Sequence, residues 1–346
     1  MSTLFFHRAN DYTGSTRALA SIIEVEHPNK NIIVVTLDIN GGGFLTDINN
    51  VKIKKIYFPV YQNKQIKYVS YILSKIHLFF ISFRLGFRFD SFYINTIVPY
   101  PSVIAGRLMR KRIIYHIHEK FIDNSIEKII MEFVFNNVKS NRIFVSNYLL
   151  HQYPHSKNNY VVKYNYLPMS FINQVNISPI KFRNLKNIIM ISSLSEAKGV
   201  FIFVELASKM IDFNFTLIVS VSQKEIISHF GFTKNNNLNI ISSQSNIHPF
   251  LKNSHLLLNL SIPTKWVETF GLTILEAMIY GIPAIVPNVG GPLELVIDGY
   301  NGYCIDVTDL NELMNKVKTI LSKDNYESFA NNAIKQASKF SSTNFS

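Results

Sequence analysis

Cysteine is almost missing from this chain. Its single thiol, Cys304, excludes an intramolecular disulfide framework and any cysteine-based zinc or iron–sulfur site, and it points to a reducing compartment. Tryptophan is as rare, at one residue, yet 27 Phe and 17 Tyr are far more than a disordered chain carries. Acid is scarce: 23 Asp and Glu stand against 35 Lys and Arg, leaving a formal net charge of +12. No signal peptide is expected, because Met1–Phe6 runs straight into His7 and Arg8 without a long apolar stretch.

The positive charge is lopsided. Residues 1–173 hold 21 Lys and Arg against 10 Asp and Glu, or +11, whereas residues 174–346 hold 14 against 13, or +1. No nucleic-acid recognition motif accompanies this charge, so a membrane or acidic-ligand reading of the first half is preferred. The 36 Asn are scattered among apolar runs, which argues against a prion-like tract.

What is there is an alternation of strands and helices. Ser2–His7, Asn31–Leu37, Ser91–Asn95, Arg112–His116 and Arg142–Val145 are short, continuous and apolar, as strands buried on both faces of a parallel sheet are. Between them Ser15–Glu26, Lys67–Phe87, Ser102–Arg110 and Asp123–Asn136 suit helices. A connector with Pro168 and Pro179 follows, and the pattern then restarts. Strands are expected at Asn187–Ser192, Phe215–Val221, Leu238–Ile241, Leu256–Leu260 and Pro283–Val286, with helices at Gly199–Lys209, Thr273–Tyr280 and Asp309–Ser322. The length of 346 residues fits two such units. The reading is an α/β chain of two Rossmann-like domains facing a cleft, with ligands outside the carboxyl ends of the strands. The boundaries are an N-terminal domain over 1–165, a linker over 166–185, a C-terminal domain over 186–325, and a short helix and tail over 326–346.

Lys67–Phe89 is apolar enough to suggest a membrane span, but Lys75, His77, Arg84 and Arg88 interrupt it, and no window of about 18 residues within it is free of charge. A helix packed on the first domain is the expectation, and an interfacial helix on anionic lipid the sharper alternative.

The chemistry gathers in Trp266–Asp306. Glu268 and Glu276 are separated by seven residues. Glu276 falls among Leu275, Ala277 and Met278 on an apolar helix, where a carboxylate is costly unless it is hydrogen-bonded. Glu268 precedes that helix. Gly271 permits close approach, and the amides of Phe270, Gly271, Leu272 and Thr273 at the helix start suit anionic or hydroxylated groups. Each carboxylate taken alone is more simply a helix charge or a satisfied salt bridge. Elsewhere His116 reads as a core residue, His116 with His118 as an incomplete metal pair lacking a third ligand, and Gly41–Gly43 as a loop. Gly290-Gly291 reads as a tight turn into a helix, Arg110–Arg112 as a solvated turn, and Cys304 as packed and inert.

Four blocks together resemble the family 4 glycosyltransferases of the GT-B fold, the retaining type with an E-x7-E signature. They are ETFGLTILEA with its trailing GIPAIV and VGGPLELVIDGYNGYCID, then ISSLSEAKGVFIF, then NDYTGSTRALA, and IIYHIHEK. They run in the family's order over nearly the whole chain. The resemblance implies that Glu276 holds the ribose of a nucleotide sugar. Glu268, with the amides of Phe270 and Gly271, would hold the donor sugar. Lys198 would neutralise the diphosphate, helped by amides at Leu272 and Thr273. Gly14 would let the first loop approach phosphates or acceptor, and His118 would lie over the donor sugar. Ser193 stands where the family usually has Arg, so one diphosphate cation is missing, and either Lys198 works alone with hydroxyl help or another Arg or Lys substitutes.

No Asp-x-Asp occurs, so the resemblance implies no metal and no cofactor, the nucleotide sugar being a co-substrate. It implies a hexosyl- or related transferase acting on a saccharide or lipid-linked saccharide in surface polysaccharide or lipopolysaccharide synthesis. Such an enzyme would be cytoplasmic and peripheral on the inner, anionic face of the cell membrane. A nucleotide-sugar epimerase of the same fold and a degenerate nucleotide-sugar-binding protein are the alternatives.

Overall fold

A computed structural model describes residues 2–28, 30–37, 42–46, 48–56, 64–121, 126–153, 159–175, 186–230 and 236–340. The chain forms two compact units, Met1–Tyr164 and Asn165–Ser346.

In the first unit β1 (Thr3–Ala9) leads to α1 (Gly14–Glu26), then β2 (Ile32–Leu37) and β3 (Val51–Ile56). α2 (Lys64–Gly86), β4 (Ser91–Asn95), α3 (Tyr100–Leu108) and β5 (Arg112–Ile117) follow. α4 (Ile126–Asn137), β6 (Asn141–Phe144), α5 (Asn147–His151) and β7 (Tyr160–Val162) complete it. The seven strands are all parallel, in the order β3-β2-β1-β4-β5-β6-β7. The central strands are continuous apolar runs because helices cover both faces; β4 is buried at every position. The order reverses between β1 and β4, so their carboxyl ends open a crevice at Ala9–Gly14 and Asn95–Thr96.

In the second unit α6 (Met169–Ile172) precedes β8 (Asn187–Ser192), a 3-10 turn (Glu196–Lys198) and α7 (Val200–Lys209). β9 (Asn214–Val219), α8 (Gln223–Phe230), β10 (Leu238–Ile241), α9 (His248–Lys252) and β11 (Leu256–Leu258) come next. They are followed by α10 (Leu272–Met278), β12 (Ala284–Pro287), α11 (Pro292–Leu295), β13 (Gly302–Ile305), α12 (Leu310–Ile320) and α13 (Lys323–Ala337). This six-stranded parallel sheet has the order β10-β9-β8-β11-β12-β13 and reverses between β8 and β11. Its core joins Phe203 of α7, Phe215 of β9 and Tyr326 and Phe329 of α13, so the last long helix belongs to this unit's interior.

Several expectations shift. Edge strands β3, β7 and β13 are additions, β3 because alternating lysines hide it from an apolar-run criterion. The helix expected at Asp123–Asn136 is described from Ile126, and residues 122–125 lie outside the described ones. Gly41, residues 176–185 of the connector and the tail 341–346 also lie outside. Gly43 presses on Asn10–Asp11, where an added Cβ would come within 2.4 Å of backbone. Cys304 is half-buried and burial pushes its thiol up to about 12, which keeps it protonated.

Candidate functional site

The second unit's expected residues cluster at the β8–β11 reversal. β8 ends at Ser192, whose hydroxyl donates to the Ser193 carbonyl at 3.0 Å; Ser193 itself is exposed. The 3-10 turn then delivers Lys198. Gly199 follows at φ +75, and an added Cβ would sit 2.0 Å from the Leu260 carbonyl oxygen, so only glycine lets the turn press against the end of β11. The Ile262 amide donates to the Ala197 carbonyl at 2.9 Å and ties the two segments together.

Lys198 and Glu268 meet directly: Nζ donates to Oε2 at 2.7 Å, with both side chains about four-fifths buried. The same Nζ lies 4.8 Å over the Trp266 ring. The Glu268 loop is held from behind by the glycine pair. Gly291 N–H donates to the Glu268 carbonyl at 2.9 Å, and an added Cβ at Gly291 would lie 2.0 Å from the Thr269 oxygen. Gly290, at φ +106, leaves no room for one either, since it would meet the Glu268 oxygen at 2.6 Å. The pair does lead into α11, as expected of a turn, but its larger role is to seat the carboxylate loop.

α10 starts one residue earlier than expected and is capped by Gly271 at φ +98. Phe270 and Leu272 are buried, Phe270 against Phe340 at 6.1 Å, while Thr273 is half-exposed. Helix geometry leaves the first amides of α10 without intrahelical partners. Glu276 is only 4% exposed, between Leu275 and Ala277 in the apolar body of that helix. The arrangement pairs a cation with a carboxylate just before a helix start, and a second carboxylate lies inside that helix. An ammonium has three N–H bonds, so Lys198 can hold Glu268 and an anionic oxygen at once.

The first unit's candidates lie at its own reversal. Gly14 opens α1 with open space where a Cβ would be, so packing does not demand glycine there. His118 follows β5 and is buried; it turns Nε2 inward to the Asn95 Oδ1 at 2.9 Å. The Asn95 amide also donates to the Ser15 carbonyl at 3.1 Å and to His7 Nδ1 at 3.0 Å. A carbonyl only accepts, so the Ser15 carbonyl fixes the orientation of the amide, and His118 carries its proton on Nε2. His7 Nδ1 faces both the Asn95 amide at 3.0 Å and the Asn95 backbone carbonyl at 3.3 Å, its Nε2 meets Thr16 Oγ1 at 3.0 Å, and the Thr16 hydroxyl donates to Asp11 Oδ1 at 2.6 Å. A connected set of hydrogen bonds thus runs from His118 to the carboxylate of the Gly14 loop. Sequence reasoning missed Asn95, His7 and Thr16, whose polar types inside a buried strand and helix were the available signal.

Burial keeps these rings neutral. It holds His7 down to about 4 and His116 down to about 3, and it lowers His118 well below the ordinary histidine value, helped by its ring neighbours His116 and His7. Burial also raises Glu119 to about 7, although the Ile97 amide donates to it at 3.0 Å. His116 is a core residue as expected, bonded to the Tyr93 hydroxyl at 3.0 Å and tilted against His118 with ring centroids 4.2 Å apart. Among the described residues no group of three His, Cys, Asp or Glu could hold a metal ion. Thr96, at the end of β4, has φ +74, a left-handed conformation that is strained for a β-branched residue.

The family model described as glycosyl transferases group 1 matches residues 176–339. The second unit is therefore similar to glycosyl transferases group 1 over those residues. A sucrose synthase of Thermosynechococcus vestitus is 50% identical over 54 residues, 16% of this chain and 7% of its own length. An uncharacterised glycosyltransferase of Methanocaldococcus jannaschii is 33% identical over 131 residues, 37% of this chain and 36% of its own. The chain thus spans between less than a tenth and about a third of the length of these curated relatives. Among solved structures, Anabaena HepE in complex with UDP and glucose superposes with a TM-score of 0.79 at 20% identity, covering 99% of this chain and 95% of that one. At that identity the likeness shows the fold: two parallel-sheet α/β domains, with GT-B glycosyltransferases as structural neighbours.

Proposed function

We propose that this chain is a retaining glycosyltransferase of family 4, moving a hexosyl or related sugar from a nucleotide-sugar donor to a saccharide or lipid-linked saccharide acceptor. The observation that carries this reading is the Lys198–Glu268 pair at 2.7 Å beside the start of α10, inside the matched domain. HepE was solved with UDP and glucose, which supports a uridine nucleotide as the first donor to test. Glu276 takes the ribose hydroxyls, Glu268 with the Phe270 and Gly271 amides takes the sugar, and Ser193, Leu272 and Thr273 border the diphosphate. As the bond from the anomeric carbon to the phosphate oxygen breaks, negative charge grows on the diphosphate. Lys198 and the α10 amides stabilise it where it develops, without a metal. The acceptor oxygen bonds to the anomeric carbon on the same face, and its proton passes to the departing phosphate oxygen. Anomeric configuration is retained.

His118 enters as a neutral imidazole that the Asn95 chain orients; it serves by shape and hydrogen bonding and not as a cation. The basic first half, +11 over residues 1–173, supports an acceptor bearing phosphate at the cytoplasmic face of a membrane, as in surface polysaccharide synthesis. A thermal-shift panel of UDP-, GDP-, dTDP- and ADP-sugars tests the donor. One nucleotide is expected to raise the unfolding midpoint, and Glu276→Ala is expected to abolish that rise. A rise that survives Glu276→Ala would remove the ribose assignment, and a panel without any rise would remove the reading itself.

A further inference from the structure

α2 buries polar residues and leaves large apolar ones outside. Ser74, Lys75 and Ser82 are buried in the first unit, Lys75 Nζ donates to the Val98 carbonyl at 2.8 Å and pairs with Glu127 at 3.2 Å, and the Ser82 hydroxyl meets Ser102 at 2.9 Å. Leu78 packs inward with them and Phe79, Ile81, Phe83 and Leu85 are half-buried, but six apolar residues point out. Ile66, Val69, Leu73, Ile76, Phe80 and, just past the helix, Phe87 are each between 48% and 71% exposed. Their spacing of three and four residues lines them along one stripe. Burying this stripe against the sheet was open to the chain, and it buries a lysine there instead. An exposed stripe on this scale marks an interaction surface.

The charge around the stripe selects its partner. α2 contains no Asp or Glu, His77 and Arg84 share its exposed side, and Arg88 is exposed just beyond its end. A second copy laid along the stripe would bring cations against cations, since the complementary flanking charges that pair helices are missing. The surrounding unit carries 21 Lys and Arg against 10 Asp and Glu. Tyr68–Gly86, 19 residues at mean hydropathy 1.2, is long and apolar enough to cross a bilayer, but the side bearing Lys75 and Ser82 is taken by the unit's own interior. Only one side is left for lipid. We infer that α2 lies in the plane of an anionic phospholipid surface, its stripe among the acyl chains and Arg84 and Arg88 at the phosphates. α4, joined to α2 by the hydrogen bond from the Tyr71 hydroxyl to Glu127 at 2.8 Å, adds exposed Ile126, Ile129 and Phe133.

The test is flotation of the full chain with phosphatidylcholine vesicles, with and without phosphatidylglycerol, and without any sugar donor, so that it stands apart from the proposed reaction. Binding is expected with phosphatidylglycerol and is expected to weaken at about 0.5 M NaCl. Leu73→Glu with Phe80→Glu should cut partitioning about tenfold or more while leaving the unfolding midpoint unchanged, because both side chains are exposed. Arg84→Gln with Arg88→Gln should remove the salt-sensitive part. Four results overturn the inference: no flotation at low salt, flotation indifferent to the Glu pair, retention on the membrane after alkaline carbonate as a crossing helix would show, or a dimer in light scattering that the Glu pair dissolves while vesicle binding stays.

Discussion

The two units share a topology and invert each other's use of polarity. In the second, apolar side chains fill the core and the candidate pair Lys198–Glu268 sits at the rim, about a fifth exposed, with Glu276 alone sunk in α10. In the first, histidines, Asn95 and Thr16 are sunk at the sheet reversal and α2 turns its apolar side outward. A rim site can be altered with little effect on folding, whereas a sunken network cannot be changed without touching stability. The same doubly wound plan therefore sets an ion pair at the rim in one unit and a polar network in the interior of the other.

The largest expected effect falls on the rim. Lys198→Ala should lower kcat with a UDP-sugar by about 10²–10³, the loss typical of removing one preorganised stabilising group. The unfolding midpoint should move little, and a large thermal loss would break the contrast between the units. Gly291→Ala comes next. Its Cβ would lie 2.0 Å from the Thr269 oxygen, so the carboxylate loop must move, with about 1–3 kcal/mol of destabilisation in chemical denaturation and a fall in transfer that resembles that of Glu268→Ala.

The third prediction separates the units by pH. His7, His116 and His118 have folded values below the ordinary 6.5, so their stabilisation of the neutral fold is complete above that pH and is lost as pH falls towards about 4 for His7 and about 3 for His116. Glu119 works the other way: its folded value is raised from 4.5 to about 7, so its contribution is complete below 4.5 and lost as pH rises through about 7. Hydrogen exchange at pH 7 and pH 4.5 should therefore show β1, β4 and β5 losing protection on acidification before β8 and β11 do. Equal loss in both sheets would erase the distinction. The smallest effect is a gain: Thr96→Gly removes left-handed strain and should stabilise the first unit by about 1 kcal/mol in urea unfolding.

Much of this was legible along the chain because buried parallel strands are continuous apolar runs. β1, β2, β4, β8 and β12 announce themselves; β3 does not, because an edge strand carries Lys52, Lys54 and Lys55 to discourage further pairing. Glu268 and Glu276 stood out through their spacing beside Gly271, and Lys198 only through the resemblance of its block to the family's Lys-Gly pair. The function of Gly290 and Gly291 was not, since it lies in contact with Glu268 and Thr269 across a fold-back. The members of the sunken network were signalled by polar types in apolar segments, but their pairing was not, since Asn95 and His7 are 88 residues apart. α2 does pack on the first unit as expected, but which side faces inward was not legible, since the burial of Lys75 and Ser82 depends on Val98, Glu127 and Ser102, distant along the chain.

The chain of hydrogen bonds from His118 to Asp11 has a consequence of its own. Its centre is one amide: Asn95 accepts from His118 through its oxygen and donates to the Ser15 carbonyl through its nitrogen, which also faces His7. The two ends of that amide cannot be exchanged without losing these bonds together. The Ser15 carbonyl, which can only accept, sets its direction. A displacement of the first turn of α1 is thereby felt at His118 through a single side chain. The helix start and the imidazole are, in that sense, two ends of one lever.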